Sequence, residues 1–445
     1  MFLKNKAKNN ILEFVEANLY KFISLFLYVL IISLLANILN KETFSEYSKI
    51  FLWTNIFLLL STGGISLFFF NEYNNKKVKN KSLINFLLFD YLIVNIIIFF
   101  LLYFIEKNYL FFDFKINIYL FFCFFNSSLT LILTSLISKK NIGINKTIIF
   151  ENLFKNLFFF ITILIILLIN FKSVSITKII YGYSISCYFL SFLLFVINYK
   201  FLNKIYFKNH LNIKIFFNFK KFFRMRVDHS IIACLIVLET NLPIFFFTYY
   251  KLNILLADYH ILLTLFMFFN FVNINMSLNI FEKFLKYKKN IKKIENVVTD
   301  YFTISLPFVL TFSIFLLFFW TFANTYILDG KFNFDKILIL LLIILFLSDY
   351  LFGNNHSFYI SKQKNVKKYA LLFLCLILIS SIMFVLFSDY LSIKLAISII
   401  IFCVLIRNLF LHFSIKSLNF NVSIFNKRVL FSIKHRLTQF INKYL

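Results

Sequence analysis

Asp90, Glu239, His260, Asp349, His356 and Arg407 stand inside stretches that are otherwise almost wholly apolar, and Lys155 sits near the edge of another. Such groups are costly within a hydrocarbon layer and as a rule face the interior of a helix bundle or water, so they mark candidate ion and substrate paths. The guanidinium of Arg407 suits bidentate binding of a phosphate better than an ammonium would; its alternative role is a structural ion pair with Asp349 or Glu239. Lys155 either draws an anionic head group inward or extends its stem to the inner surface. Asp90, Glu239, Asp349, His260 and His356 are the groups able to carry protons if a gradient drives a cycle, with Glu239 and Asp349 foremost.

Polar side chains recur at helical spacing in the same stretches: Asn55, Thr62 and Ser66; Asn126, Thr130 and Thr134; Asn270, Asn273 and Ser277; Asp349, Gly353 and His356. Any one stripe could serve helix packing, because Ser, Thr and Asn bond across helix interfaces in lipid. Taken together they predict a hydrated interior, and Asn126, Asn270 and Asn273 join Arg407 and Lys155 as candidate substrate-binding residues. No residue is predicted to be catalytic. The five cysteines, Cys123, Cys187, Cys234, Cys375 and Cys403, show no metal-ligand spacing, and neither a dinucleotide fingerprint, a phosphate-binding P-loop nor a GxSxG elbow occurs. The expectation is no cofactor and no metal, with coupling to a proton or sodium gradient as the open possibility.

The elements that must position these residues are read from hydropathy. The chain of 445 residues is 61% hydrophobic, contains 69 Phe and has a mean hydropathy of +0.83, more apolar surface than a water-facing globule can hide. A helix needs about 20 residues to cross the ~30 Å hydrocarbon layer, and about twelve runs of that length lie near 20–39, 49–70, 83–105, 118–138, 147–169, 176–197, 229–249, 258–280, 300–322, 337–359, 369–388 and 392–413. Runs of this length without period-2 alternation exclude a closed barrel and predict an all-α integral membrane protein. Lys and Arg concentrate in alternate loops, and cytoplasmic loops are the Lys/Arg-rich ones, so both termini are predicted to be cytoplasmic. The net charge of +28 lies in short loops at a membrane surface, where it sets topology and meets anionic lipid, and nucleic acid is not an expected partner.

A weak internal repeat organises the spans. Phe44, Ser45, Glu46 and Tyr47 join the first two runs, and Leu256, Ala257, Asp258 and Tyr259 join the seventh and eighth, at an offset of 212; Ile137 to Asn141 and Ile360 to Asn365 open equivalent loops. Six spans per half would give two bundles of like orientation, a parallel repeat used by transporters. The expected segments are an amphipathic stretch over 1–19, a six-helix bundle over 20–197, a basic linker over 198–228, a second bundle over 229–413 and a basic tail over 414–445. Pro243 and Pro307 would kink the seventh and ninth spans.

The sequence resembles the bacterial O-antigen flippases (Wzx type) and related polysaccharide exporters of the multidrug/oligosaccharidyl-lipid/polysaccharide (MOP) transporter superfamily. The resemblance covers nearly the whole chain and rests on length, span number, the segment Leu39 to Tyr47 followed by Ser61, Thr62, Gly63 and Gly64, and Glu239, Thr240, Asn241 running to Ala257, Asp258 and Tyr259. Glu46 and Asp258 stand where the family has glycine. The resemblance implies translocation of an undecaprenyl-pyrophosphate-linked oligosaccharide across the bacterial inner membrane. It also implies membrane lipid, the polymerase and the chain-length regulator of the same pathway as partners. Two other readings stay open: a polymerase or ligase of that pathway, which would carry a large outer loop with catalytic Arg and His, and a drug/cation antiporter of the same superfamily.

Overall fold

The computed structural model describes residues 2–62, 80–108, 118–169, 174–206, 241–267, 291–322, 334–361 and 366–416, with single positions at 65, 235, 238, 239, 325, 332, 431, 435 and 438. Nearly all of these residues are helical, and no strand occurs among them. In order the elements are α1 (Phe2–Ile38), α2 (Lys41–Thr62), α3 (Asn80–Asn108), α4 (Ile118–Asn141), α5 (Ile144–Ile148), a π turn (Ile149–Phe154), α6 (Lys155–Ile169), α7 (Ile176–Tyr206), α8 (241–249), α9 (Asn253–Met267), α10 (Ile291–Phe322), α11 (Lys336–Ser361), α12 (Val366–Leu386) and α13 (Ile393–Lys416). Among the described residues, six segments are long and apolar enough to cross a membrane: Leu19–Ile38, Ile84–Phe104, Ile118–Asn141, Lys146–Ile169, Ile176–Lys204 and Ile393–Ser414. The N-terminal residues and the first apolar run form one uninterrupted helix, α1.

Large apolar side chains cover the outer surface: Leu168 is 76% exposed and Phe318 74%. Water would not tolerate that surface, whereas lipid tails solvate it. Inside the helices, hydroxyls close on their own backbone. Ser48 donates to the Phe44 carbonyl at 2.7 Å, Thr134 to that of Thr130 at 2.8 Å and Ser191 to that of Cys187 at 2.8 Å, so each polar group is satisfied without water. Pro307 lies inside α10, where its missing N–H leaves one backbone bond unmade.

The chain divides into two compact units, Met1–Ile261 and Leu262–Leu445, with the division falling inside α9. Most of the expected linker, from 207 onward, lies outside the described residues. In the first unit α4 packs along α7: the rings of Phe124 and Tyr183 stack at 4.1 Å, Ser128 donates to the Tyr183 hydroxyl at 3.3 Å, and Asn198 donates to Ser138 Oγ at 2.6 Å. Aromatic edges join α2 to α4 through Phe51 and Phe124 and through Phe57 and Phe121. Gly143 ends α4 with φ +95°, a conformation that favours glycine, and the chain turns there into α5. In the second unit α11 and α13 pack together, Ser380 of α12 meets Cys403 of α13 at 2.8 Å, and Ser305 of α10 meets the Tyr350 hydroxyl of α11 at 2.6 Å.

Gly182 sets how closely α7 approaches α6. A Cβ at that position would come within 2.8 Å of Thr162 Cγ2 and 3.3 Å of Ile166 Cδ1, the close approach that small residues provide between membrane helices. Gly182→Leu is expected to destabilise the protein by about 1–3 kcal/mol through overpacking, read as a lower unfolding temperature in detergent, whereas Gly182→Ala costs less.

Candidate functional site

Among the described residues, four polar centres stand out, three in the first unit and one in the second. The first is a seam between α2 and the α8–α9 pair. His260 is fully buried, its Nδ1 2.9 Å from Ser48 Oγ, and the rings of Phe44, Tyr47 and Phe51 stack on it at 5.8, 5.9 and 4.9 Å. Those three aromatic residues sit at i, i+3 and i+7 of α2, one helical face. Trp53, further along α2, donates its indole N–H to Thr248 Oγ1 at 3.3 Å and meets the Phe245 ring edge-on at 4.4 Å. Ser48 and His260 are 212 residues apart, the same offset that separates the similar segments Phe44 to Tyr47 and Leu256 to Tyr259.

The second centre lies on the face of α4 turned away from α2. Asn126 accepts from the Tyr91 hydroxyl at 3.0 Å and from the Tyr188 hydroxyl at 3.2 Å, and donates to Asn95 Oδ1 at 2.8 Å; Tyr91 also meets Thr130 Oγ1 at 3.0 Å. Tyr91 and Asn95 of α3, Asn126 and Thr130 of α4 and Tyr188 of α7 thus form one network, half-buried apart from the exposed Tyr188. An amide and hydroxyls flanked by aromatic rings can bind a sugar hydroxyl or join helices.

The third centre occupies the end of the first unit opposite the α1–α2 turn. Lys139, in the last turn of α4, pairs with Glu151 of the π turn at 2.8 Å. Lys155 follows Glu151 and lies over the Tyr183 ring at 5.9 Å. Asn156, buried, ties α6 to α1 by donating to the Ser24 carbonyl at 2.8 Å.

The fourth centre joins α11 to α13. Arg407, buried, donates from Nη2 to Asp349 Oδ1 at 2.5 Å and from Nε to Asn408 Oδ1 at 3.3 Å, with its guanidinium 5.7 Å from the Phe373 ring centre; Asn408 in turn donates to the Ser348 carbonyl at 3.3 Å. The structural ion pair proposed for Arg407 therefore forms, with Asp349 as its partner. The exposed edge of the pair is on the Asp349 side, whose side chain is 24% exposed against 7% for Arg407.

Of the remaining residues singled out from sequence, Asp90 is buried on α3 and Glu239 is buried just before α8. His356 belongs to α11 with its side chain outside the described residues, and Asn270 and Asn273 lie outside them altogether. Sequence patterns missed Ser48, Tyr91, Tyr188 and Glu151. The four-residue spacing of Tyr91 and Asn95 was a readable signal, and so was the repeat offset linking Ser48 to His260.

The Arg407–Asp349 pair gives a clean separation of structure from function. Removing one partner of a buried pair costs about 3–5 kcal/mol, while replacing both by apolar groups is close to neutral. Asp349→Ala and Arg407→Ala are each expected to destabilise by that amount in detergent unfolding, and the double variant Asp349→Leu/Arg407→Met to regain most of it; a stable double variant without transport activity assigns the pair to function.

No protein-family profile and no curated protein sequence matches the chain. Solved structures do. A lipid II flippase, MurJ, in an inward closed conformation aligns over 98% of this chain and 93% of its own, with a TM-score of 0.62 and 18% identity. A multidrug resistance MATE family transporter of the MOP superfamily, in an outward-facing conformation, aligns over 90% of this chain and 92% of its own, with a TM-score of 0.63 and 13% identity. A MOP superfamily transporter from Pyrococcus furiosus aligns over 90% and 93%, with a TM-score of 0.62 and 12% identity. At these identities the likeness is one of fold, and it extends over nearly the full length of each chain. The chain has the fold of these solved transporters.

Proposed function

We propose that this protein is a flippase that carries an undecaprenyl-pyrophosphate-linked oligosaccharide, an O-antigen or capsule repeat unit, across the bacterial inner membrane. The observation that carries the reading is the alignment of 98% of the chain with a lipid II flippase. Chemistry supports it. A sugar chain and a diphosphate lose many hydrogen bonds in hydrocarbon, each worth several kcal/mol if left unmade. A carrier must replace them with its own polar groups while the lipid tail stays in the bilayer.

The buried polar centres supply such groups. In this reading twelve spans form two six-helix bundles with cytoplasmic ends, and the α2 seam around His260 closes the outer side. Substrate release outward then requires the Ser48–His260 contact and the ring stack on it to part. Asp90, Glu239, Asp349, His260 and His356 are the proposed coupling groups for a proton or sodium gradient, and Arg407, Lys155, Asn126, Asn270 and Asn273 the proposed substrate contacts. The MATE likeness favours one alternative, drug/cation antiport by the same motion.

A deletion strain assayed for lipid-linked repeat units tests the reading. Accumulation of single units on the cytoplasmic leaflet is the expected result; outer-leaflet units, or lipid A capped with one repeat, point instead to a polymerase step, and a changed drug tolerance with normal surface polysaccharide points to the antiporter. The seam has its own test: joining Ser48→Cys and His260→Cys by a thiol crosslinker, in a background without native cysteines, is expected to abolish surface polysaccharide reversibly. Undiminished export by the crosslinked protein would remove the seam from the cycle.

A further inference from the structure

We propose that the outward face of α7, toward its end at Tyr206, is a binding site for one anionic phospholipid, whose acyl chain lies along Phe192, Phe195 and Val196 and whose phosphate is held by Lys200 and the Tyr199 hydroxyl. The inference goes beyond the transport reading and does not rest on it. An open groove of about 470 Å³ runs along this face, lined by Phe192, Phe195, Val196, Ile197, Tyr199 and Lys200, a volume within the range of small-ligand sites. All but Ile197 recur at i, i+3, i+4, i+7 and i+8, one side of the helix, and each of the six is exposed. Lys204, one turn beyond Lys200, is exposed as well. Two ammonium groups at that spacing repel each other, and an anion between them reverses the sign of the interaction.

The groove spans the two depths that a phospholipid spans. Asn198, buried between α7 and α4, donates to Ser138 Oγ at 2.6 Å and accepts from Asn141 at 2.8 Å. At that level the apolar run of α4 gives way to Lys139, Lys140 and Asn141. Tyr199 and Lys200 therefore stand at the polar edge of the hydrocarbon, where lipid phosphates lie and where an amphipathic tyrosine is at home. Phe192, Phe195 and Val196 stand four to eight residues farther in, about 6–12 Å at the rise of a helix, the depth of the acyl chains.

Charge and polarity select the occupant. From Lys200 to Val227 the sequence holds eight Lys and Arg and no Asp or Glu, so the chain adjoining the groove supplies no counter-charge and an anionic head group complements it. A zwitterionic head group would bring an ammonium of its own against Lys200. The lining offers one ammonium and one phenolic hydroxyl among rings and aliphatic groups. A ligand with one charged head and an apolar tail fits that lining, whereas an oligosaccharide would leave most of its hydroxyls without partners.

The full chain, purified in detergent, is titrated with dioleoylphosphatidylglycerol and separately with dioleoylphosphatidylcholine, and bound lipid is counted by native mass spectrometry. One phosphatidylglycerol per chain is expected to bind ahead of any phosphatidylcholine. Lys200→Gln and Lys204→Gln are each expected to weaken that first binding by about fivefold, with Lys200→Arg retaining it. Val196→Trp fills the groove and leaves both charges, and is expected to weaken binding at least as much; Lys178→Gln, at the other end of α7, leaves it unchanged. Unfolding temperatures without lipid exclude misfolding. Equal binding of phosphatidylcholine, or wild-type affinity in both Gln variants, overturns the proposal. Wild-type affinity in Val196→Trp overturns it too, reducing the effect to general attraction by a basic end. Displacement of phosphatidylglycerol by a lower concentration of undecaprenyl diphosphate would hand the groove to the carrier lipid and overturn the phospholipid assignment. None of these outcomes depends on transport, so the transport reading stands or falls separately.

Discussion

A hydroxyl or an amide in the middle of a bilayer has no water to turn to, and the architecture of this chain follows from where such groups find partners. Most serine and threonine hydroxyls return to the carbonyl a turn earlier, which costs nothing in helix placement and says nothing about neighbours. A smaller set reaches across: Asn156 to Ser24, Asn198 to Ser138, Asn126 to Asn95, Ser305 to Tyr350 and Arg407 to Asp349. These bonds cannot be replaced by solvent, so they fix which helices are adjacent and in what rotation. Apolar packing then fills between them, much of it supplied by aromatic rings.

The same constraint shapes the α2 seam. His260 presents two nitrogens to an environment of rings, and Ser48 meets one of them. The imidazole is at once a polar partner for a hydroxyl and a flat surface for Phe44, Tyr47 and Phe51, so one side chain registers α9 against α2 along and around the helix axis.

Much of this was legible in the sequence. Hydropathy located α1, α3, α4, α6, α7 and α13 because lipid rewards long uninterrupted apolar runs. It placed the second run from residue 49, whereas α2 begins at Lys41: Asn40 caps it by accepting from the Thr43 N–H at 2.8 Å, and the polar first turns, invisible to a hydropathy window, are held by the burial of Phe44 and Tyr47. The pairing of Arg407 with Asp349 was foreseen as one of two roles, since charges of opposite sign inside apolar runs have few places to go. Asn126 was assigned to a polar stripe with Thr130 and Thr134, but its partners Tyr91 and Tyr188 count as apolar in any such pattern, and only their hydroxyls reveal the network. The π turn left no mark in composition at all; one added residue in a turn changes direction, not hydropathy.

The Ser48–His260 contact also decides how α2 and α9 can come apart. The imidazole has a hydroxyl at its edge and three rings against its faces, and these neighbours all belong to one helix, so a slide of a single turn along α2 would forfeit every one of them at once. Separation of the two helices is therefore all-or-none: they stay in register or they part completely, with no partly slipped arrangement of comparable energy between.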